Sequence, residues 1–469
     1  MSPTKDTFDL LIVGSGSAAF AAAIEATRLG AKVAMAEKGR IGGTCVNIGC
    51  VPSKALLAAS ETYALQRHHP FAGVPSVGGP LDLPLLVAQK DQLVESLRKE
   101  KYQDLIEEYG FTFIQGEASF VDEHRLQVGE RILRAHRILL ATGAVPSIPD
   151  IPGLKDVPYL TSTQALSHRK IPETIAIIGA GYVALELGQY FRDLGSRVIL
   201  FQRGRFILPQ YDPEVGKAVQ DSLLASGIEL YTGIAYRGVR KEGEKKVVVV
   251  ERQGEILEIS ADELLVATGR RPQTQALRVE KAGLSLGPRG EIPVDPYLRT
   301  GKPHIFAAGD VTLHPQFVYV AAHEGTLAAR NALTGSLQPV DFSAVPEVIF
   351  TRPAVAKVGI TEKEAKAKNL SFRCSMVRAE LLARARVNRE GVGLFKLVVD
   401  REKGSILGAQ VVSSNAGDVI YAATLAVKAR LTLQDLQETF SPYLTMAEGL
   451  KLAALSFDTD VSRLSCCAG

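Results

Sequence analysis

Two stretches of this chain repeat one another. Residues 12–39 read IVGSGSAAFAAAIEATRLGAKVAMAEKG, and residues 177–204 read IIGAGYVALELGQYFRDLGSRVILFQRG. They align without a gap, Gly14 on Gly179, Gly16 on Gly181, Ala19 on Ala184 and Gly30 on Gly195. In each, a short apolar run (Leu10–Val13; Ile175–Ile178) ends in Gly-x-Gly, a helix follows that Gly30 or Gly195 ends, and a second strand begins (Lys32–Ala36; Arg197–Phe201). An apolar run that does not alternate suits a parallel strand covered on both faces. Each copy therefore reads as a β-α-β unit. The spacing is too long for a solenoid, so the copies belong to two separate nucleotide-binding domains.

The chemistry of each unit follows from its glycines. Gly14 permits a tight turn, Gly16 lets backbone approach a pyrophosphate, and Ala19 allows close packing of helix on strand. The anion would sit at the helix N-terminus, where free N–H groups point. Glu37 ends the second strand, where an acid can bind a ribose hydroxyl pair. The second copy keeps Gly179, Gly181 and Ala184 but has Gln202 in place of the acid, followed by Arg203 and Arg205. A carboxylate would repel a 2′-phosphate and arginine would bind it. The two sites are expected to differ: free ribose hydroxyls in the first, NADPH in the second. The arginines would also fit a merely solvated face.

Composition sets outer limits. The chain has 469 residues, 46% hydrophobic and 22% charged, enough for several cores and too apolar for disorder. Its 54 basic and 51 acidic residues leave a net charge of +3 without basic blocks, which gives no support for nucleic-acid binding. The long uncharged stretch Leu10–Ile24 is too short and too rich in Gly and Ser to span a bilayer. A cytoplasmic location is expected. From about Phe342 the glycine-rich turns stop, and strands (Gly393–Val399, Ile406–Val412) alternate with amphipathic helices, as in an α+β domain.

Five cysteines are too few for a disulfide scaffold, and their placement carries the information. Cys45 and Cys50 lie in Gly42–Lys54, GGTCVNIGCVPSK. On an ideal helix such a pair would be ~7.5 Å apart along the axis, beyond the usual disulfide span of ~4.4–6.8 Å. A bond between them requires a distorted first turn, and strained disulfides are the reducible kind. Lys54 follows Cys50 by one helical turn and could hold a positive charge near a thiolate. Cys374 stands alone and reads as a buried, inert thiol.

Gly42–Lys54 resembles the redox-active signature of the FAD-dependent pyridine nucleotide–disulfide oxidoreductases. ATG at 141–143, ATGRRP at 267–272 and IFAAGDV at 305–311 are similar to that family in the same order. The resemblance covers essentially the whole chain. It implies an α/β protein of two Rossmann-like domains and a C-terminal dimerisation domain. FAD would bind 1–150 together with 271–341, NADPH would bind 151–270, and 342–469 would pair two subunits. It further implies that Cys50 is the thiol nearest the flavin and Cys45 the exchanging thiol. Lys54 would lie near flavin N5 with Glu186 paired to it, and Asp310 would bind the ribityl–phosphate part. Tyr182 would cover the flavin until nicotinamide displaces it. The remaining cofactor contacts it implies are Gly39, Thr44, Ala118, Thr142, Gly143 and Val318, with Gly269 and Arg270 at the second ATG.

Relatives that act on organic disulfides carry a His-Pro segment followed by Glu, the His protonating the leaving thiolate. Here the segment reads SPYLTMAE: Glu448 is present, but Tyr443 holds the His position, and the last of the eight histidines is His323. A phenol titrating near ~10 is a poor shuttle at neutral pH. Adjacent Cys466 and Cys467 close the chain instead. On its own that pair also reads as an oxidation-prone tail with no role. Together, Pro-Tyr-Leu-Thr-Met and terminal Cys-Cys are similar to the branch of the family that reduces Hg(II). That likeness implies Hg(II), arriving as a thiolate complex, passed from Cys466 and Cys467 of one subunit to Cys45 and Cys50 of the other. Tyr182 and Tyr443 would steady the ion. Many members of that branch begin with a small Cys-x-x-Cys domain, and none precedes Leu10 here. A reductase of an unusual small disulfide and a non-catalytic soft-metal binder are the competing readings.

Overall fold

The computed structural model describes residues 7–464. The first copy of the repeat forms β1 (Thr7–Val13), α1 (Ser17–Arg28) and β2 (Val33–Glu37). β1 lies between β2 and the strand Arg131–Leu140, parallel to both. Thr112–Gln115 extends the sheet beyond β2, and Ile305–Ala307 pairs in parallel with Arg131–Leu140. The chain thus leaves this sheet, builds the second unit, and returns to the first. Leu10, Leu11, Ile12 and Val13 are all buried, as a strand covered on both faces requires. One cover is α1, whose Ala18, Ala19, Ala22, Ala23 and Ala26 are buried. The helix Val318–Thr334 packs closely on it: a Cβ on Gly325 would lie 2.0 Å from the Ala18 carbonyl oxygen, so only glycine fits there.

The second copy repeats the plan. Thr174–Ile178, Arg197–Gln202, Glu229–Thr232 and Glu263–Val266 form a four-stranded parallel sheet. Its central strand residues Ile175–Ile178 are fully buried. A three-stranded antiparallel sheet, Ala235–Ala261, leans on it. Arg270–Pro272 then pairs antiparallel with Ala144–Pro146, so the two nucleotide units are joined by a two-stranded ribbon.

The third region is a five-stranded antiparallel sheet in the order Glu347–Ile349, Ala354–Gly359, Ile406–Ser413, Leu394–Asp400, Phe372–Arg378. Helices Ala416–Ala429 and Glu448–Leu455 contribute to its core around Phe395, Val411 and Leu450. Buried Lys396 ties it to the second unit, with Nζ 3.2 Å from Asp212 Oδ2, and pairs within its own region with Glu362 Oε2 at 2.6 Å.

A second tie runs along the helix Tyr182–Asp193. Its residues 182, 186, 189 and 193 share one face, and each meets the segment 347–352. Tyr182 Oη donates to Glu347, and the Phe350 N–H donates to Glu186 Oε1 at 3.0 Å. The Arg352 N–H donates to Gln189 Oε1 at 2.6 Å, and its guanidinium pairs with Asp193.

Candidate active site

The glycine turn of each unit is held by the other motif of that unit. Gly14 has φ +109°, and a Cβ there would lie 2.3 Å from the Ala141 carbonyl oxygen. Gly179 has φ +116°, and a Cβ would lie 2.4 Å from the Ala267 carbonyl oxygen. Ala141 and Ala267 open the two ATG triplets. Each triplet therefore props the turn from below, and any side chain would push strand and turn apart.

Above the first turn lies a cavity of about 420 Å³. Among the residues lining it are Gly14, Gly16, Glu37, Gly39, Thr44, Ala118, Thr142, Gly143 and Arg270. Glu37 is fixed at both oxygens, by Ser15 Oγ at 2.7 Å and by the Gly39 N–H at 2.6 Å. Thr142 Oγ1 is buried without a hydrogen-bond partner among the described residues. A buried hydroxyl of that kind calls for a ligand atom or a water. Asp310 and Arg270 face each other, Oδ2 to Nε 3.7 Å, and burial raises the Asp310 carboxyl against the pull of that guanidinium. Ala19 is fully buried under the turn, and Val318 starts the helix that covers α1. The phosphate-accepting turn, the fixed acid and the orphan hydroxyl fit a dinucleotide.

The cysteine segment does not run as one distorted helix. It breaks at Gly49 into α2 (Gly43–Ile48), which carries Cys45, and α3 (Cys50–Arg67), which begins with Cys50. The break removes the axial offset and brings the thiols together as a free dithiol, Cys45 hydrogen-bonded to Cys50. α2 is pressed on the phosphate turn: a Cβ on Gly43 would lie 2.6 Å from Gly16 Cα. Cys50 is lowered to about 7, first by the hydrogen bond from Cys45 and then by the Lys54 charge, burial opposing both. Cys45 is raised far above the thiol range by that same bond to Cys50. The dithiol thus holds one thiolate, at Cys50, near neutrality. Position at the N-terminus of α3 favours the same charge.

Lys54 Nζ lies 2.6 Å from Glu186 Oε2 and 4.5 Å from the centre of the Phe350 ring. Tyr182 is half-buried; its hydroxyl also sits 3.3 Å from that of Tyr211. The second turn has Gly181 with open space in front of it, Gln202 at the strand end, and Arg203 exposed beyond. Gly269 caps the strand below that turn, but Arg270 reaches back into the first cavity, donating to Thr44 Oγ1 at 3.3 Å and to the Ala144 carbonyl. Tyr443 lies in the loop ahead of the helix Glu448–Leu455, half exposed. Glu448 is buried, its carboxyl raised by burial, with Oε2 unpaired among the described residues. Cys466 and Cys467 lie outside the described residues.

Residues 8–325 match the pyridine nucleotide-disulphide oxidoreductase family, and residues 345–454 match its dimerisation domain. The chain belongs to the pyridine nucleotide-disulphide oxidoreductases. Its FAD and NADPH follow from that membership. Among curated members of this family, a mercuric reductase of Staphylococcus aureus is 52% identical over 98% of this chain and 84% of its own length. One of Streptomyces lividans is 47% identical over 98% of both chains, and one of Shigella flexneri is 43% identical over 98% of this chain and 82% of its own. Among solved structures of the family, the Cu(II) complex of the HOCl-induced flavoprotein disulfide reductase RclA from Escherichia coli superposes with a TM-score of 0.87. It is 26% identical, over 97% of this chain and all of that one. No helix among the described residues is long and apolar enough to cross a membrane.

Two participants escaped the sequence reading: Glu347, which opens the short strand Glu347–Ile349, and Phe350, which directly follows it. Arg270, expected among the cofactor contacts, closes a motif of the second unit while lining the first cavity. The only sequence signal for Glu347 is an acid at the head of a short apolar run.

Proposed function

We propose that this chain reduces Hg(II) to Hg(0) at the expense of NADPH, Hg(II) + NADPH → Hg(0) + NADP⁺ + H⁺, as a means of mercury detoxification. The carrying observation is the Cys45–Cys50 dithiol, one thiolate at neutrality, set beside a Lys54–Glu186 pair that links the two nucleotide units. FAD, when bound over the first turn, relays two electrons from NADPH to the centre beside it. FAD is held by 1–150 with 271–341 and NADPH by 151–270. Within the first region Gly14, Gly16, Glu37, Thr142 and Asp310 bind; in the second, Gly179, Gly181, Arg203 and Arg205 do.

The protein's own residues do the rest. The Cys50 thiolate captures Hg(II) in preference to hard ions, and the bound metal displaces the proton of Cys45, which becomes the second soft ligand. Lys54 stabilises the Cys50 charge, and Glu186 holds Lys54 there. Tyr443, in the position of a proton-shuttling His, disfavours exchange with an organic disulfide and leaves metal capture as the chemistry of that pocket. Residues 342–469 pair two subunits, which the exposed Phe440, Tyr421 and Leu425 of this region support, Phe440 being 95% exposed in the single chain. Cys466 and Cys467 of one subunit then deliver Hg(II) to Cys45 and Cys50 of the other, with Tyr182 and Tyr443 steadying it. The need for NADPH and for reduced thiols supports a cytoplasmic reaction.

The test is NADPH consumption by the yellow holoenzyme, with Hg(II) supplied in excess small thiol and glutathione disulfide and lipoamide in parallel. Consumption with Hg(II) alone is expected. Consumption with a disulfide alone would replace the proposal with a disulfide reductase.

A further inference from the structure

Tyr182 opens the helix that faces the redox centre from the second unit, and its hydroxyl is held by an acid from a different domain. Glu347 presents one oxygen to Tyr182 and the other to Lys357, at 3.3 Å. Lys357 is Glu347's cross-strand partner in the Glu347–Ile349 and Ala354–Gly359 ladder, and it is buried. Lys357 Nζ also lies 5.2 Å from the centre of the Tyr211 ring and 3.4 Å from the Gln210 carbonyl oxygen. Tyr211, itself buried, places its hydroxyl 3.3 Å from that of Tyr182. The carboxylate is thus fixed at one end by a buried ammonium, and its other end is committed to the one phenol of the group that is expected to move. A hydrogen bond to a charged, immobilised acceptor is among the strong ones.

Resting on the functional reading above, we infer that Glu347 is a positioning residue that tethers Tyr182 over the flavin face and so sets the cost of admitting nicotinamide. When nicotinamide displaces the phenol, the Tyr182–Glu347 bond must break, and the bound cofactor has to supply that free energy. Only a fraction of the intrinsic affinity then shows as measured affinity, as for any closed site that must open first. The gain is a flavin shielded from solvent between turnovers. Phe350, three residues on and just past the strand end, holds Glu186 through its N–H, so the segment 347–350 meets both helix residues at the centre.

The experiment is a double-mutant cycle on NADP⁺ affinity, read by perturbation of the flavin spectrum in the oxidised holoenzyme, with no turnover needed. Glu347→Ala should tighten NADP⁺ binding about tenfold, the worth of one hydrogen bond to a charged acceptor. Tyr182→Phe, which keeps the ring and loses the hydroxyl, should give a similar gain. The double variant should gain no more than either alone, because both remove the same bond. Glu347→Gln, which keeps an acceptor, should fall between Glu347→Ala and the parent. Additive effects would mean that Glu347 acts only by supporting its strand, and would overturn the tether. So would unchanged or weakened binding in Glu347→Ala. Normal NADP⁺ binding by a parent protein that ignores Hg(II) would strike the substrate assignment and leave the tether standing. A parent that binds no NADP⁺ would overturn both.

Discussion

Lys54 and Glu186 stand on different nucleotide units, yet Lys54 Nζ is 2.6 Å from Glu186 Oε2, while the other Glu186 oxygen accepts the Phe350 N–H at 3.0 Å. A cation of the first unit, an acid of the second and a backbone group of the third region therefore share one point, beside Cys50. The charge on Lys54 is one of the causes that lower Cys50. Lys54→Met should raise the Cys50 midpoint by about one pH unit, the lower end of what a neighbouring charge does. The pH dependence of alkylation by iodoacetamide measures it. An unmoved midpoint would mean that the lysine is too well screened to matter.

Cys45 is the larger influence on Cys50, as the donor to its thiolate. Thiolate at Cys50 dominates above about pH 7 and is lost as pH falls through that value. Cys45→Ser retains a donor and should keep most of that depression. Cys45→Ala should move the midpoint up toward the ordinary thiol range of about 8.5. Both variants should lack Hg(II) reduction, since one of two thiolate ligands is gone.

The glycine turns separate the two cofactors. Gly14→Ala forces a Cβ into the Ala141 carbonyl at positive φ and should cost about 3 kcal/mol or more of stability, with loss of the yellow colour. Gly179→Ala makes the same clash with Ala267 in the second unit. It should leave the protein yellow while abolishing NADP⁺ binding. Flavin content and NADP⁺ titration on the two purified proteins decide this; a colourless Gly179→Ala would show that the units do not fold independently enough for the assignment.

Arg203 lies exposed past the second strand, where a 2′-phosphate would be met. Arg203→Glu should raise the KM for NADPH about tenfold or more and change that for NADH little. Equal changes for both would make the arginine a solvated surface charge. At the C-terminus, Cys466→Ala with Cys467→Ala removes a tethered ligand pair whose local concentration is worth about a hundredfold. Turnover should fall by that order when external thiol is abundant. Parent rates under those conditions would end the delivery role.

Much of this was legible in the sequence because it is local. The turn, helix and acid of the first unit lie within Leu10–Glu37, and their spacing alone states the chemistry. The cysteine segment was legible as reactive and as a departure from an ideal helix; that the departure is a break at Gly49 is a backbone choice that spacing does not reveal. What stayed hidden depends on long-range contact. The ATG triplets looked like strand ends until Ala141 and Ala267 were found beneath the two glycines. Glu347 meets Tyr182 only because the third sheet docks along one face of the helix Tyr182–Asp193. Nothing near either residue in the sequence encodes that meeting.

The most direct measurement is the stoichiometry of the reaction: elemental mercury released as vapour per NADPH oxidised, with Hg(II) in excess small thiol under nitrogen. One mercury atom for each NADPH is the expected result. NADPH oxidised without volatile mercury, or mercury held on the protein while NADPH stays intact, would contradict reduction of the metal as this chain's activity.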